Sequence, residues 1–211
     1  MRVVLILVLI AIAVFGAARM KAPPAAGGDI GDEARAATLT FAPDVAQRDR
    51  DWILAAVAAA RPEAQRLIQE IDGLTQVRTD LRGGQAIGLA ELTADRAVVS
   101  FDISMLNGDR AIDRNVVVLH ELGHVVDHFL VDDETVAQLD RSIPVVGSCE
   151  GSTVPIGACT ATPERFADTF AKWALHGRFS LAGSGYGIPA PRSIEDWGAP
   201  LGLLAGQLNT R

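Results

Sequence analysis

Residues 117–126 read VVLHELGHVV, and this stretch decides how the rest of the chain is interpreted. His120 and His124 are four residues apart, so on a helix both imidazoles point the same way and can bind one metal ion. Glu121 lies about a quarter turn away, within reach of a water molecule at that metal. The flanking residues are apolar, which predicts a buried helix from about residue 110 to 131. A core helix whose histidines only pack is the alternative.

A catalytic metal of this kind normally has a third protein ligand, and three candidates follow in the sequence. Asp127 and His128 belong to the same helix and would have to reach back along it. The third candidate is Glu164, in the stretch TPERFADTFAKW at residues 162–173. Glu164 is the better candidate for the third ligand.

The stretch 162–173 is typical of a helix. Thr162 as N-cap and Pro163 as the first helical residue predict where it starts. Glu164 and Asp168 are four residues apart and therefore share one side. Three residues at helical spacing form an apolar face: Phe166, Phe170 and Trp173. An ordinary amphipathic helix is the alternative, since the helix dipole favours acidic residues near the N-terminus.

The two stretches together resemble zinc peptidases of the gluzincin type, a division of the zincins. The closer likeness is to the family of the anthrax toxin lethal factor, whose motif helix continues as Ala-Val-Asp and whose second helix reads Glu-Phe-Phe-Ala-Glu-Ala-Phe. This chain has Val-Val-Asp at residues 125–127 and ERFADTF at residues 164–170. The resemblance covers residues 117–173, about a quarter of the chain.

This resemblance implies a fold, a cofactor and a set of roles. We expect an α+β, small zincin-like domain, mainly helical with a small sheet. One zinc ion would be held by His120, His124 and Glu164, and Asp168 would be the outer-shell partner of a ligating histidine. Glu121 would act as the general base in the hydrolysis of peptide bonds.

The residue that would stabilise the oxyanion is the least defined part of the expected site. The lethal factor family has a Tyr shortly before its third-ligand Glu, where this chain has Gly-Ala-Cys at residues 157–159. Tyr186, the only tyrosine, follows the second helix in a glycine-rich stretch and is the candidate for this catalytic role. Surface packing is the alternative for Tyr186. His176 is expected to cap the C-terminal end of the second helix, and it is a weaker candidate for the oxyanion role.

The N-terminal residues indicate export. An apolar run from residue 3 to 18 is closed by Arg19 and Lys21, which predicts a signal peptide or an N-terminal membrane anchor at residues 1–18. A buried core helix is the third interpretation of this run. A flexible spacer at 19–40 and a peptidase domain at 41–211 would follow. Both leading interpretations place that domain outside the cell, secreted or anchored to the outer face of the plasma membrane.

Cysteine content and charge restrict the partners. Cys149 and Cys159 are the only cysteines, and in an exported protein they predict a disulfide bond, with zinc ligation as the alternative. The net charge is −7 with scattered cations, which argues against a nucleic-acid partner. A peptide or protein substrate is therefore expected. A non-catalytic zinc-binding interaction module at the cell surface is the competing function, and a purely structural membrane-anchored domain is a third.

Periodicity and turn signals predict the elements around the motif. They are helices at 44–60, 62–71, 134–140 and 193–208, the last capped by Ser193, and strands at 86–93 and 97–104. Zincins commonly carry a small sheet whose edge strand pairs with an extended substrate. We expect the strand at 97–104 to belong to that sheet; a hairpin that only packs is the alternative.

Overall fold

In the computed structural model the protein is described over residues 4–5, 39–82, 86–107, 113–145, 160–178 and 187–208. These residues form an α+β fold in which helices predominate over a small mixed sheet. The helices are α1 (Gln47–Ala58), α2 (Pro62–Glu70), α3 (Ile103–Leu106), α4 (Arg114–Leu130), α5 (Asp133–Ser142), α6 (Thr162–Ala174) and α7 (Ile194–Leu208). The strands are β1 (Val4–Leu5), β2 (Thr40–Phe41), β3 (Thr75–Arg78), β4 (Gly88–Leu92) and β5 (Ala97–Phe101). The predicted α+β class is confirmed.

The sheet has the strand order β1-β4-β5-β3-β2. Strands β2, β3 and β5 run parallel, whereas β4 and β5 form an antiparallel hairpin in which Gly88 lies opposite Phe101. A hydrogen bond of 2.9 Å from the Thr93 N–H to the Arg96 carbonyl closes its turn. The strand predicted at 97–104 does belong to the sheet, but neighbours occupy both its sides. Of the two strands of the hairpin, β4 packs more extensively against α4.

The folded part of the chain begins before residue 41. Leu39 is buried, and Thr40 lies in β2, paired with Gln76. Of these two residues, which the sequence places in the spacer, Leu39 therefore belongs to the core and Thr40 to the sheet. The backbone of β1 pairs with the end of β4, and the rest of the predicted export segment 1–18 lies outside the described residues. Within the described part of the chain, no helix combines the length and apolar character that crossing a membrane requires.

Helix α4, which carries the motif, lies at the centre of the core. The Asp113 side chain caps it by accepting hydrogen bonds from the backbone N–H groups of Asn115 and Val116. Every residue from Val116 to Val126 is buried. The helix contacts α1, α6 and β4, so it has partners on several sides. This explains why apolar residues surround the motif and excludes a solvent-facing helix.

Helix α6 is buried along almost its whole length. The predicted apolar face is confirmed, but the predicted N-cap is wrong: Ala161 has the extended N-cap backbone, and Thr162 is already helical. Charged side chains of α6 are buried as well. Arg165 pairs with Asp140 at 2.6 Å and donates to the Ile143 carbonyl at 2.8 Å, which fixes the end of α5. Helix α6 is therefore not an ordinary surface amphipathic helix.

Helix α7 completes the core on the far side of α6. Ser193 caps it as predicted, with its Oγ 3.1 Å from the Asp196 backbone nitrogen. Trp197 is buried against Phe166, with ring centroids 5.7 Å apart. Its indole N–H donates to the Leu139 carbonyl at 3.3 Å. Helices α5, α6 and α7 are thus joined into one layer behind the motif helix.

Candidate metal centre

The structure brings together three of the predicted site residues from two helices. The Nε2 atom of His120 lies 3.1 Å from Oε2 of Glu164, and the Nε2 atom of His124 lies 3.4 Å from the same oxygen. One possible ligand atom from each residue lies within 4.8 Å of the others, and all three residues are buried. His120, His124 and Glu164 therefore form a group that can hold a metal ion.

The distances within this group suit a four-coordinate metal. Bonds of about 2.0–2.1 Å to nitrogen and oxygen, at tetrahedral angles, separate neighbouring ligand atoms by about 3.3 Å. The separations of 3.1 and 3.4 Å to Glu164 bracket that value. The two imidazole rings are nearly perpendicular, at 85°, with centroids 4.9 Å apart. Both rings can therefore direct a nitrogen at a common point without stacking on each other.

Unsatisfied polar atoms also point to a ligand. Within the described part of the chain, both ring nitrogens of His124 and Oε2 of Glu121 are buried without a hydrogen-bond partner. The 3.4 Å approach of His124 to Glu164 lacks hydrogen-bond geometry. A buried polar group left unpaired costs about 1–3 kcal/mol. A metal ion would take one nitrogen of His124, and a water molecule or substrate beside it would satisfy Glu121, so the residues present fit a metal.

A close helix contact places Glu164 within reach of the histidines. Gly123 of α4 faces Ala167 of α6, and a methyl group at position 123 would lie 3.1 Å from the Ala167 Cα and 3.1 Å from Cδ1 of Phe170. Contacts that short are tighter than ordinary van der Waals packing. Ala167 lies one turn after Glu164 along α6. The absence of a side chain at Gly123 therefore sets the helix separation at which one carboxylate meets two imidazoles.

The two carboxylates of the centre have opposite pKa shifts. Burial raises the pKa of Glu121 to about 7; the Glu164 charge acts in the same direction and His120 acts against it. Burial also tends to raise the pKa of Glu164, but its hydrogen bond with His120 and the nearby histidines outweigh this and hold the pKa far below its usual range. Glu164 is thus ionised at neutral pH, as a ligand must be. Glu121 titrates near neutrality, where a proton acceptor is most effective.

This pKa shift predicts how the stability of the metal-free protein depends on pH. Folding favours the protonated form of Glu121, so its contribution is fully present below pH 4.5 and is lost as the pH rises towards about 7. We expect the free energy of unfolding, relative to that of Glu121→Gln, to fall by about 2–3 kcal/mol between pH 5 and pH 8. Glu164 adds no slope in this window because its lowered pKa acts below it.

Urea unfolding of chelator-treated protein at several pH values measures this difference. The Gln variant keeps the shape of the side chain and removes its titration, which makes it the matched reference. Parallel pH profiles for the two proteins would show that Glu121 is not held in a desolvated position.

Asp168 lies beside the centre, next to a buried cation. Lys172 donates to Oδ2 of Asp168 and to the carbonyl of Ile188, the latter at 2.5 Å. Burial raises the pKa of Asp168, while the charges of Lys172 and His120 act in the opposite direction. Asp168 is therefore in electrostatic contact with one histidine of the centre. Its expected role as the outer-shell partner of a ligand stays a prediction.

The other candidates for the third ligand lie outside the group. His128 is exposed, and its Nε2 is 2.8 Å from the carbonyl of Thr93, at the turn of the hairpin. Asp127 is half-buried, and burial raises its pKa to about 6, with His124 and His128 acting against that shift. Among the described residues, neither joins the group that can hold a metal.

His176 cannot serve the oxyanion role. It follows the end of α6, twelve residues after Glu164, which corresponds to about 18 Å along a helix. Its Nδ1 lies 3.1 Å from Arg61, whose guanidinium also binds Glu195 at 2.6 Å. His176 thus belongs to a separate polar cluster that joins α2, α6 and α7.

Several predicted residues fall outside the described part of the chain. They are Tyr186, the candidate for the oxyanion role, and the predicted disulfide partners Cys149 and Cys159. Residues 157–159, where the lethal factor likeness breaks, lie there too. The roles assigned to them stay predictions.

Sequence reasoning missed three residues that shape the centre: Gly88, Gly123 and Lys172. Only Lys172 had a local signal, because it lies four residues after Asp168, the spacing of a helical ion pair. The contact that makes Gly123 necessary is made across helices, and the surroundings of Gly88 are likewise set by tertiary structure. A comparison of this chain with protein-family models, curated proteins and solved structures finds no match, so the assignment depends on the geometry of the centre.

Proposed function

We propose that this protein is a zinc-dependent endopeptidase of the gluzincin type that hydrolyses peptide bonds with Glu121 as general base. The observation that carries the proposal is the convergence of two imidazole nitrogens and one carboxylate oxygen within 4.8 Å, in a buried position. A second carboxylate, that of Glu121, lies beside them with one oxygen unpaired. Three protein ligands with an adjacent base are the protein's part of a catalytic zinc site.

The donor set favours zinc but does not by itself exclude other metals. Two histidines with one carboxylate also form the triad of non-haem iron enzymes. Two features support zinc here: both histidines come from one helix at four-residue spacing, and a carboxylate that is not a ligand lies between them. An iron oxygenase has no need of that additional carboxylate. We therefore assign the centre to zinc and to hydrolysis.

The residues of the chain would divide the chemistry as follows. His120, His124 and Glu164 hold the metal, which when bound supplies a Lewis acid that polarises the peptide carbonyl and makes water more acidic. Glu121, whose carboxylate lies beside the ligands, would take the proton from the attacking water. The same carboxyl group then donates that proton to the leaving amine. The carboxylate of Glu121 is thereby regenerated within one cycle.

The sheet offers a place for an extended substrate. Strand β4 is antiparallel to β5 and contacts the motif helix. In the described structure, β1 pairs only with Glu91 and Leu92, at the far end of β4. Residues 88–90 have no outer strand partner among the described residues, and an extended peptide would pair with this edge by strand addition. A peptide bound there would run past the metal centre.

The cellular setting is part of the proposal. The apolar run from residue 3 to 18, closed by two cations, supports export with either cleavage or retention as an anchor. The cysteine pair at 149 and 159 supports a disulfide bond in an oxidising compartment. Peptides or protein loops at or outside the cell surface would then be the substrates.

A peptide-library assay tests the proposal. Purified protein, containing one zinc per chain by metal analysis, is incubated with a library of extended peptides with and without a chelator. We expect cleavage that the chelator abolishes and that added zinc restores. One zinc per chain without any cleavage would instead favour the non-catalytic binding module. Absence of stoichiometric metal would refute both functions.

A further inference from the structure

Gly88, the first residue of β4, lies directly against the Glu121 side chain. A methyl group at position 88 would lie 2.4 Å from Oε1, 2.6 Å from Cγ and 2.7 Å from Cδ of Glu121. Carbon atoms in ordinary contact are about 3.5–4.0 Å apart, so the carboxylate occupies the space that any side chain at position 88 would need. The strand backbone and the expected general base are therefore in direct contact.

The backbone conformation does not require glycine at this position. Gly88 lies in a regular strand, opposite Phe101, and its φ is outside the left-handed region. In such a strand an alanine normally stabilises the folded state, because it restricts the unfolded chain. The three atoms nearest to the missing side chain all belong to Glu121. Glycine is thus required here by Glu121 rather than by the backbone.

Both partners are held by the elements that carry them. The strand is held at this end by its pairing with β5 and by a hydrogen bond of 2.9 Å from the Asp102 N–H to the Ile87 carbonyl. Glu121 is 1% exposed and lies on a helix that is buried on several sides. A side chain at position 88 would therefore displace the carboxylate or separate the strand from the helix.

We propose that Gly88 is a positioning residue for Glu121: the bare backbone of β4 forms the surface that holds this carboxylate beside the metal ligands. The inference rests on the proposed function, in which Glu121 is the general base. It adds that the sheet takes part in catalysis through the position of the base as well as through substrate pairing. Gly88→Ala should therefore impair the base while leaving the three metal ligands in place.

A thermal double-mutant cycle on metal-free protein tests the contact without any activity assay. We expect Gly88→Ala to lower the Tm by about 4–8 °C, as overpacking in a buried site does. In a Glu121→Ala background the obstructing atoms are gone, and the same substitution should leave the Tm unchanged or raise it. An equal loss of Tm in both backgrounds would assign the effect to the strand alone and overturn the inference.

Kinetics of the zinc-loaded protein test the catalytic consequence, with a peptide selected from the library as substrate. We expect Gly88→Ala to bind zinc as the parent does and to lose about 100-fold in kcat, with little change in KM, as for a misplaced catalytic group. In a Glu121→Gln background it should cause no further loss. Gly206→Ala is the matched control, because a methyl group there meets nothing within 4 Å.

The outcomes separate this inference from the proposed function. If Gly88→Ala matches Gly206→Ala in both Tm and kcat, Gly88 does not position Glu121. If the parent protein binds zinc but cleaves nothing, the proposed function fails, while the thermal cycle still shows whether Gly88 and Glu121 are in contact.

Discussion

Replacing Glu121 by Gln is expected to remove nearly all peptide hydrolysis while one zinc ion per chain remains bound. Gln has the shape of Glu but cannot accept the proton of the attacking water, and Glu121 is not one of the three residues grouped as metal ligands. General-base catalysis contributes about 10²–10⁴-fold, so we expect kcat/KM to fall by about 10³-fold. Cleavage of a library-selected peptide, together with metal analysis of the same preparation, measures both parts of the prediction.

The matched control for this variant is Glu134→Gln. Glu134 is an exposed carboxylate in the first turn of α5, so its loss should change neither zinc content nor rate.

The stability of the Glu121→Gln variant shows whether activity is lost with the base or through unfolding. Because burial raises the pKa of Glu121, the Gln variant should be more stable than the parent at pH 8 in the absence of metal. Full activity in the Glu121 variant would exclude the proposed mechanism.

The parts of the centre that depend on local spacing could be predicted from sequence. His120 and His124 lie on one face because a helix places residues i and i+4 together, whatever surrounds them. The contact between His120 and Glu164 spans 44 residues, and no local rule contains it. It was predicted only because the second helix resembles that of a known family. The structure confirms this contact, which is the main support for a metal held between the two helices.

The missed elements are those that tertiary structure stabilises. Strand β3 is four residues long and reads TQVR, too short and too polar to stand out, but its parallel pairing with β5 places it in the sheet. Helix α3 is a single turn whose N-cap, Asp102, accepts hydrogen bonds from Ser104 and Met105. The predicted elements that were confirmed, such as α2 and α7, carry their own signals in Pro62 and Ser193.

The two glycines illustrate why geometry beyond secondary structure could not be predicted. In the sequence, Gly88 is a small residue within a strand and Gly123 a small residue within a helix. Glycine usually destabilises either kind of element. Each is necessary only because another element lies against it: Glu121 at Gly88 and Ala167 at Gly123. Such a requirement is a property of packing between elements. Through these contacts Gly88 affects the position of Glu121, and Gly123 affects that of α6, which carries Glu164.

Removing the third ligand should weaken metal binding more than any other single substitution on α6. In Glu164→Ala the oxygen that lies 3.1 and 3.4 Å from the two imidazoles is lost, and the histidines alone cannot complete the coordination. If three ligands share a binding free energy of about 10 kcal/mol, losing one weakens zinc affinity by about 100-fold or more. Competition with a chelating dye at fixed pH measures the two dissociation constants.

Glu63→Ala is the matched control for Glu164, because both follow a proline at the start of a helix. Both substitutions remove a carboxylate from a helix N-terminus, so they share any loss from the helix dipole, about 0.3–1 kcal/mol. Only the Glu164 variant should also lose zinc affinity and the stabilisation that zinc confers on the folded state. Equal zinc affinity in the two variants would show that Glu164 is not a ligand. The site would then have only two protein ligands on one helix, too few to leave the metal both firmly bound and open to substrate.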